Sequence, residues 1–306
     1  MDLKELYNFL KIAEYENITK AANELHIAQP HLTRQIQNLE NELGVSLFIR
    51  EKKRIHITDE GRFLKQQAAQ ILGLVDKTKE QISEMESGIS GTLYIGSIET
   101  VGTMYLPQWI SGFKSHYPKV HYNLWSGNST DVIERIEKGL IDIALVRAPF
   151  DEDTFDSFPV LDEKWIVLIN RKHPLADNGS SCVSLKELSC EELLVPTQRI
   201  SEITGWFSQR NLQSNIICGF SPLMNAVVMA QNNLGIAILP ESCKKMLFTD
   251  DVIVKDLSEK MYSTVSFIWR KKYELPGVAN RFLEYMRDNL EIHQNSNMTS
   301  EDVNSL

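Results

Sequence analysis

Eight residues of this chain, Leu64, Ala68, Ile71, Val75, Thr78, Ile82, Met85 and Ile89, are spaced 4, 3, 4, 3, 4, 3 and 4 apart. No strand or loop keeps that rhythm. It is the a/d seam of a helix that buries one narrow stripe, and it predicts a helix over 59–88, roughly 45 Å long at 1.5 Å per residue. So narrow a seam favours pairing with a second copy over lying on the chain's own core, although Gly73 within it costs about 1 kcal/mol. Gly88-Ile89-Ser90-Gly91 ends the helix, so the chain divides into one region before this element and another after it.

Before it, residues 1–58 are predicted as short helices and a basic ribbon. Leu6, Phe9, Leu10 and Ala13 recur at helical spacing. Thr19 is the expected N-cap of a second helix through Leu25. After the break His26-Ile27-Ala28, Pro30 suits the first turn of a third helix. There Leu32, Ile36, Leu39 and Leu43 form one apolar stripe, and Gly44 is placed to end it. Two short helices around a tight break form a helix-turn-helix pattern. Val45–Arg50 and Ile55–Thr58, flanking Glu51-Lys52-Lys53-Arg54, then make a hairpin wing. Thr58 is placed to cap the long helix.

From Thr92 onward the texture is α/β. Candidate strands fall at 93–98, 121–125, 142–146, 165–169, 193–195, 216–220, 235–239, 252–254 and 265–269. Helical segments lie near 103–116, 129–138, 201–212, 222–233 and 276–290. The alternation predicts parallel sheets. The charged, Pro-containing stretch 147–164 falls midway and suggests two lobes. The polar end, 291–306, is expected to be disordered.

Charge first argues against nucleic acid, because the net charge is −9. Residues 1–58, however, carry eight of the 32 cations and eight of the 41 anions, so the remainder carries the whole excess. A neutral module with a local basic wing can meet DNA, leaning on base readout and dimer avidity more than on bulk phosphate attraction. The four cysteines form no Cys-x-x-Cys pair, and no His stands at zinc-ligand spacing, so reduced thiols and no metal site are expected. No apolar run is long enough to span a bilayer, and Met1-Asp2-Leu3-Lys4-Glu5 lacks export-signal character, which points to the cytoplasm.

Residues 1–61 resemble the winged helix-turn-helix of LysR-type transcriptional regulators. The likeness rests on Ile18-Thr19-Lys20-Ala21-Ala22, Ala28-Gln29-Pro30-His31-Leu32-Thr33-Arg34-Gln35-Ile36, Leu39–Gly44, Leu47-Phe48-Ile49-Arg50 and Thr58-Asp59-Glu60-Gly61. It extends to about residue 290 through Pro107, Gly127-Asn128, Gly139–Ala144 and Leu234–Pro240. His31, Thr33 and Asn232-Asn233 depart from the usual family residues.

The resemblance implies a DNA-binding domain at 1–58, a dimerising linker at 59–91 and an effector domain at 92–290. The effector domain would be two-lobed, like a periplasmic binding protein, with lobe I at about 92–163 plus 265–290 and lobe II at about 164–264. It also implies promoter DNA as partner, a homodimer assembling into a tetramer, RNA polymerase as a further candidate partner, and a small-molecule effector in place of a cofactor.

The expected DNA contacts are Gln29, Pro30, His31, Thr33, Arg34 and Gln37, with Arg50, Lys52, Lys53 and Arg54 at the wing. Gln pairs with adenine, Arg with guanine, and the wing cations suit phosphate or the minor groove. Effector contacts are expected where strands end and helices begin: Ser97 and Thr100, then Asn128 and Ser129, with Arg147 beyond. The resemblance places Thr100 and Ser129 at the family's usual inducer positions. Arg147 could clamp a carboxylate or instead pair with Asp151 or Glu152. Arg199, Ser201 and Ser221 complete the set. Trp125, Trp206 and Phe220 are either rim aromatics, suiting a partly apolar acid, or core.

Two rivals stand beside this reading. Cys182 and Cys190 could form a thiol redox switch. Ser242-Cys243-Lys244-Lys245 matches the Ser-x-x-Lys spacing of acyl enzymes, but no Ser-Asp-Asn or Lys-Thr-Gly partner accompanies it, and no catalytic residues are expected.

Overall fold

The computed structural model describes residues 1–50, 55–84, 90–247 and 249–301. Its contacts divide the chain into two units, 1–88 and 89–306. In the first, α1 (Leu3–Tyr15), α2 (Ile18–Glu24) and α3 (Gln29–Leu43) precede the hairpin β1 (Phe48–Arg50) and β2 (Ile55–Ile57), followed by α4 (Asp59–Glu84). Asp2 opens α1 with a reciprocal capping box to Glu5. Asn17, not Thr19, caps α2, because its side chain reaches back to the Lys20 N–H. The turn into α3 runs through His26 at φ 53°. Pro30 sits in the first turn of α3, and Gly44, at φ 70°, closes it.

Leu32, Ile36 and Leu39 join Phe9, Ile12, Ala21, Leu47 and Ala68 in one core. Leu43, the fourth member of the predicted stripe, is instead exposed. Thr58 Oγ1 accepts the Gly61 N–H at 2.9 Å and donates to Ser46 O at 2.8 Å, joining α4 to the wing. A side chain at Gly61 would put its Cβ 2.3 Å from the Leu47 carbonyl oxygen, so glycine is what lets α4 approach this closely.

The seam of α4 divides its labour. Leu64 and Ala68 pack into the core of their own unit. Farther along, Ile71 and Ile82 of the seam, and Leu74 beside it, are exposed on the protomer. Met85 and Ile89 lie outside the described residues.

The second unit opens with β3 (Gly91–Ile98), α5 (Glu99–Met104), α6 (Leu106–His116), β4 (Val120–Gly127), α7 (Ser129–Glu137) and β5 (Ile143–Arg147). Next come β6 (Phe155–Asn170), β7 (Cys182–Val183), α8 (Leu185–Leu188), β8 (Glu192–Pro196) and α9 (Ile200–Ser208). The rest is β9 (Asn215–Phe220), α10 (Leu223–Gln231), β10 (Ile236–Pro240), β11 (Val252–Leu257), β12 (Tyr262–Arg270) and α11 (Gly277–Glu301).

The strands run β4-β3-β5-β12-β6-β10-β8-β9, with β11 and β7 branching from β6. The prediction of parallel sheets holds for β3 with β4 and β5, and for β8 with β9 and β10. It fails where β6 pairs antiparallel with β10, β11 and β12, and where β12 pairs antiparallel with β5, although β11 runs parallel to the short β7. The stretch 147–164 is not a bare connection either. Residues 155–164 are the first part of β6, bonded to β12, and the same strand continues to β10 and β11. One 16-residue strand therefore serves both halves of the sheet.

Helices cover both faces, and β6 shows how. Trp165, Val167 and Ile169 face one core with Trp206 and Phe207, while Ile166 and Leu168 face another with Ala226 and Val227. In the other half Phe113, Phe267 and Phe282 pack edge to face on one side of the sheet. Val132, Ile136 and Ile268 fill the opposite side. At the end of the unit α11 runs on to Glu301. Neither Gly nor Pro interrupts that run, so no residue there breaks the backbone hydrogen-bonding.

Candidate functional site

In the first unit, α3 turns its apolar stripe inward and its polar face to solvent. Pro30, His31, Arg34 and Gln37 are exposed along that face, and Gln29 begins it. Thr33 is half-buried: its hydroxyl donates to the Gln29 carbonyl at 3.0 Å and accepts from Gln29 Nε2 at 2.9 Å. This pins the Gln29 carboxamide and leaves its oxygen to accept.

Residues absent from the expected set hold the helix in place. Buried Asn8 of α1 donates to Gln35 Oε1 at 2.8 Å. Glu40 Oε1 accepts the N–H groups of Leu47 and Phe48 at 2.8 and 3.2 Å, tying α3 to the start of the wing. Such second-side contacts have no sequence signal beyond a polar residue breaking an apolar face. Arg50 ends β1 opposite Ile55. Lys52, Lys53 and Arg54 lie outside the described residues.

In the second unit a cavity of about 420 Å³ opens where the strands end. Ile98 ends β3 with Glu99 and Thr100 after it, Ser126–Ser129 end or follow β4, and Arg147 ends β5. From the other half come Trp165 of β6, Pro196–Arg199 from the last residue of β8 onward, Phe220–Leu223 from the end of β9 to the start of α10, and Pro240 ending β10. Carboxyl ends of strands and amino ends of helices thus surround one space, which favours a polar or negatively charged ligand atom. Asn128 caps α7 by accepting the Asp131 N–H at 2.9 Å. Across the cavity, Gln198 Oε1 accepts the Ser129 N–H at 3.3 Å.

Six of the eight expected effector residues line this space: Thr100, Asn128, Ser129, Arg147, Arg199 and Ser221. Ser97 does not. It is buried, with its Oγ 3.2 Å from Ser126 Oγ, and it packs so close to Gly102 that a Cβ there would lie 2.0 Å from that oxygen. Ser201 is exposed in the first turn of α9 and does not line the cavity either. Phe220 lines the cavity, whereas Trp125 lies beneath Arg135 at 4.2 Å and Trp206 packs edge-on against Trp165 at 5.4 Å.

The cations differ most from expectation. The Arg147 guanidinium is paired through Nη2 with Glu163, and both side chains are buried. Neither Asp151 nor Glu152 is that partner; Asp151 accepts from Thr154 Oγ1 and the Asp153 N–H, and these bonds hold its carboxyl below the usual range. Arg199 donates to the carbonyls of Ala148 and Arg147 at 2.9 and 3.1 Å and to Glu202 at 2.9 Å. It therefore ties the Pro196–Arg199 segment to the end of β5. Glu163 and Gln198 were missed by sequence reasoning. The ion pair joins residues on different strands, and nothing local marks it.

The rivals can also be placed. Cys182 is half-buried and Cys190 exposed. Hydroxyls of Ser258 and Ser180 beside Cys182 hold its thiol below the ordinary value, whereas burial pushes the Cys243 thiol far up. Ser242 is buried, and its N–H donates to Glu163 Oε1 at 2.6 Å. It does not line the cavity. Among the described residues no group of three or more His, Cys, Asp or Glu could hold a metal ion, and no helix is long and apolar enough to cross a membrane.

Comparison with known proteins agrees with this architecture. The family model for bacterial regulatory helix-turn-helix proteins of the lysR family matches residues 3–62, and that for the LysR substrate binding domain matches 86–291. The chain is 28% identical over 292 residues to the uncharacterized HTH-type transcriptional regulator YvbU of Bacillus subtilis, covering 94% of this chain and 98% of that protein. It is 31% identical over 195 residues to the DNA-binding transcriptional dual regulator OxyR of Escherichia coli, covering 64% and 63% respectively. The crystal structure of full-length CbnR complexed with its target DNA superposes with a TM-score of 0.78 at 22% identity, covering 94% of this chain and 99% of that one. With a helix-turn-helix bearing an exposed polar face, and a second unit that encloses a cleft between parallel strand ends, the chain belongs to the LysR family of DNA-binding transcriptional regulators.

Proposed function

We propose that this regulator reads promoter DNA through α3 and the wing, pairs with a second copy through α4, and changes its output when a small carboxylic acid enters the cleft. The domain division is 1–58 for DNA, 59–91 for pairing and 92–290 for the effector. Its setting is the cytoplasm, and the assembly is a homodimer or a tetramer built from dimers. The observation that carries the effector reading is the 420 Å³ space ringed by strand ends and by the amino ends of α7 and α10.

Support for the DNA contacts comes from exposure. His31, Arg34 and Gln37 lie one turn apart on the face of α3 opposite its buried stripe, the arrangement by which a recognition helix reads base edges. The pairing reading is supported by Ile71, Leu74 and Ile82, apolar side chains that α4 leaves uncovered on the protomer.

Within the cleft the acid group is assigned to the Thr100 hydroxyl and the amino end of α7 at Ser129, displacing the Gln198 carboxamide from the Ser129 N–H. Arg199 positions the opposite wall. Arg147 is not the carboxylate clamp, because Glu163 already neutralises it.

Gel-shift assays on the regulator's own upstream intergenic region test the first part. Arg34→Ala is expected to abolish specific binding while sedimentation still reports the wild-type oligomer; retained affinity overturns the role of α3. Thermal shifts with a panel of carboxylic acids test the second part. The stabilising acid is expected to lose its effect in Thr100→Val, and an unchanged shift removes that contact.

A thiol-based reading keeps one supporting observation, the lowered thiol of half-buried Cys182. Peroxide treatment that alters the gel shift in the wild type but not in Cys182→Ser would replace the acid reading.

A further inference from the structure

Four charged side chains line the cleft: Glu99, Asp131, Arg147 and Arg199. Both cations are matched by carboxylates from outside the lining, Arg147 by buried Glu163 and Arg199 by Glu202 at 2.9 Å. The two acids are not matched in this way. Asp131 accepts from the neutral Asn128 carboxamide at 2.7 Å and meets no cation among the described residues. The Glu99 side chain makes neither a hydrogen bond nor an ion pair among the described residues, and it is half-buried rather than enclosed. Asp131 is exposed and screened by water, so the weight of the excess charge falls on Glu99.

A cleft with an excess of one sign concentrates ligands of the other and repels those of its own. An acid with no compensating charge is therefore poorly matched to this space. Ser129, however, stands at the amino end of the nine-residue α7, where a carboxylate is favoured. Both demands are met by a ligand that carries both charges. Strands β3 and β4 pair in parallel with Ile98 opposite Gly127, so Glu99 and Thr100 leave β3 beside the point where Asn128 and Ser129 leave β4. The place for a cation and the place for a carboxylate are thus neighbours, as an ammonium and a carboxylate on one carbon require. A metal ion fits less well, because no third His, Cys, Asp or Glu joins these two acids among the described residues. Ile98, Phe220, Leu223 and Pro240 give the rest of the space apolar walls.

We propose that the cleft takes a zwitterion, an α-amino acid with an apolar side chain, whose ammonium group is held by the Glu99 carboxylate. This inference rests on the assignment of the acid group to Thr100 and Ser129 made above.

Isothermal titration calorimetry of the full-length protein at neutral pH tests it with compounds that share one side chain. The first series is L-phenylalanine, 3-phenylpropionate, which lacks the ammonium group, and 2-phenylethylamine, which lacks the carboxylate. L-Leucine, 4-methylpentanoate and 3-methylbutylamine form the second. In at least one series the amino acid is expected to bind about tenfold tighter than the acid without nitrogen, the effect of one charge-assisted contact. In Glu99→Gln that preference should vanish, because the amino acid loses its partner while the plain acid loses a repulsion. Should that variant fail to fold, the wild-type comparison decides alone.

Plain acids that bind as tightly as the amino acids in both series overturn the zwitterion and leave the acid assignment standing. A preference for the amino acid that persists in Glu99→Gln overturns the role of Glu99. An amine that binds as tightly as its amino acid, and loses affinity in Glu99→Gln, overturns the acid assignment and keeps the cation contact. If no compound of either series binds, both are overturned.

Discussion

Replacing Arg147 by methionine removes a buried cation of similar length and strands the Glu163 carboxylate in the sheet. Glu163 is 3% exposed, and its two oxygens accept from Arg147 Nη2 and from the Ser242 N–H. Breaking a buried pair in this way costs about 3–5 kcal/mol. Two features favour the lower end. The Ser242 N–H bond to the carboxylate survives, and the unpartnered Nε–H of Arg147 disappears along with its penalty of about 1–3 kcal/mol.

A loss of about 3 kcal/mol in a domain of this size corresponds to a fall in Tm of roughly 6–12 °C. In Arg147→Met/Glu163→Gln the stranded charge is gone, while the amide oxygen still accepts from Ser242. That double variant should return to within about 1.5 kcal/mol of the wild type, since a buried pair contributes far less than the loss of one partner alone suggests. Circular-dichroism melts of the full chain measure this at pH 7 and one fixed protein concentration, which holds the oligomer contribution constant. A fall below 2 °C in the single variant, or a double variant as unstable as the two singles summed, would refute the reasoning.

Three further outcomes are expected. Ile82→Glu places a charge on the apolar face that α4 leaves uncovered, so sedimentation should show at least a tenfold weaker self-association with an unchanged far-ultraviolet spectrum; an unaltered dimer refutes pairing through this face. Alkylation by iodoacetamide should begin at lower pH for Cys182 than for an ordinary thiol, whose pKa is near 8.5, and Ser258→Ala should shift the profile upward. Cys243 should stay unlabelled until the protein is unfolded, and a native-state modification there would contradict its burial.

Local chemistry explains which elements could be read from the chain. Pro30 in the first turn of α3, Gly44 at its end and Thr58 joining wing to helix each act within a few residues, so their roles follow from type and spacing. Asn17 caps α2 in place of the expected Thr19 because the helix begins earlier than its apolar pattern shows. The long β6 was half hidden. Its first part alternates polar and apolar residues beside charges and a proline, and only pairing with β12 makes a strand of it.

Much the same holds for the cleft. Thr100, Asn128, Ser129 and Ser221 stand at strand-to-helix junctions, positions that alternating structure must bring to one edge of a sheet. Ser97 and Ser201 have the same chemistry slightly too early or too late for that edge, and a shift of one residue in a strand turns a side chain to the other face.

The sequence by itself determined most of the elements, the neutral helix-turn-helix module inside an acidic chain, the polar face of α3 and the strand ends that ring the cavity. All of these depend on residues close together along the chain. Tertiary structure alone decided the state of the cations. Arg147 meets Glu163 sixteen residues away and Arg199 meets the carbonyls of Arg147 and Ala148 across the cleft, so a side chain that reads as a free clamp is already neutralised. Coulomb energy and desolvation depend on distance through space and on burial, and neither is written in the spacing of residues along a chain.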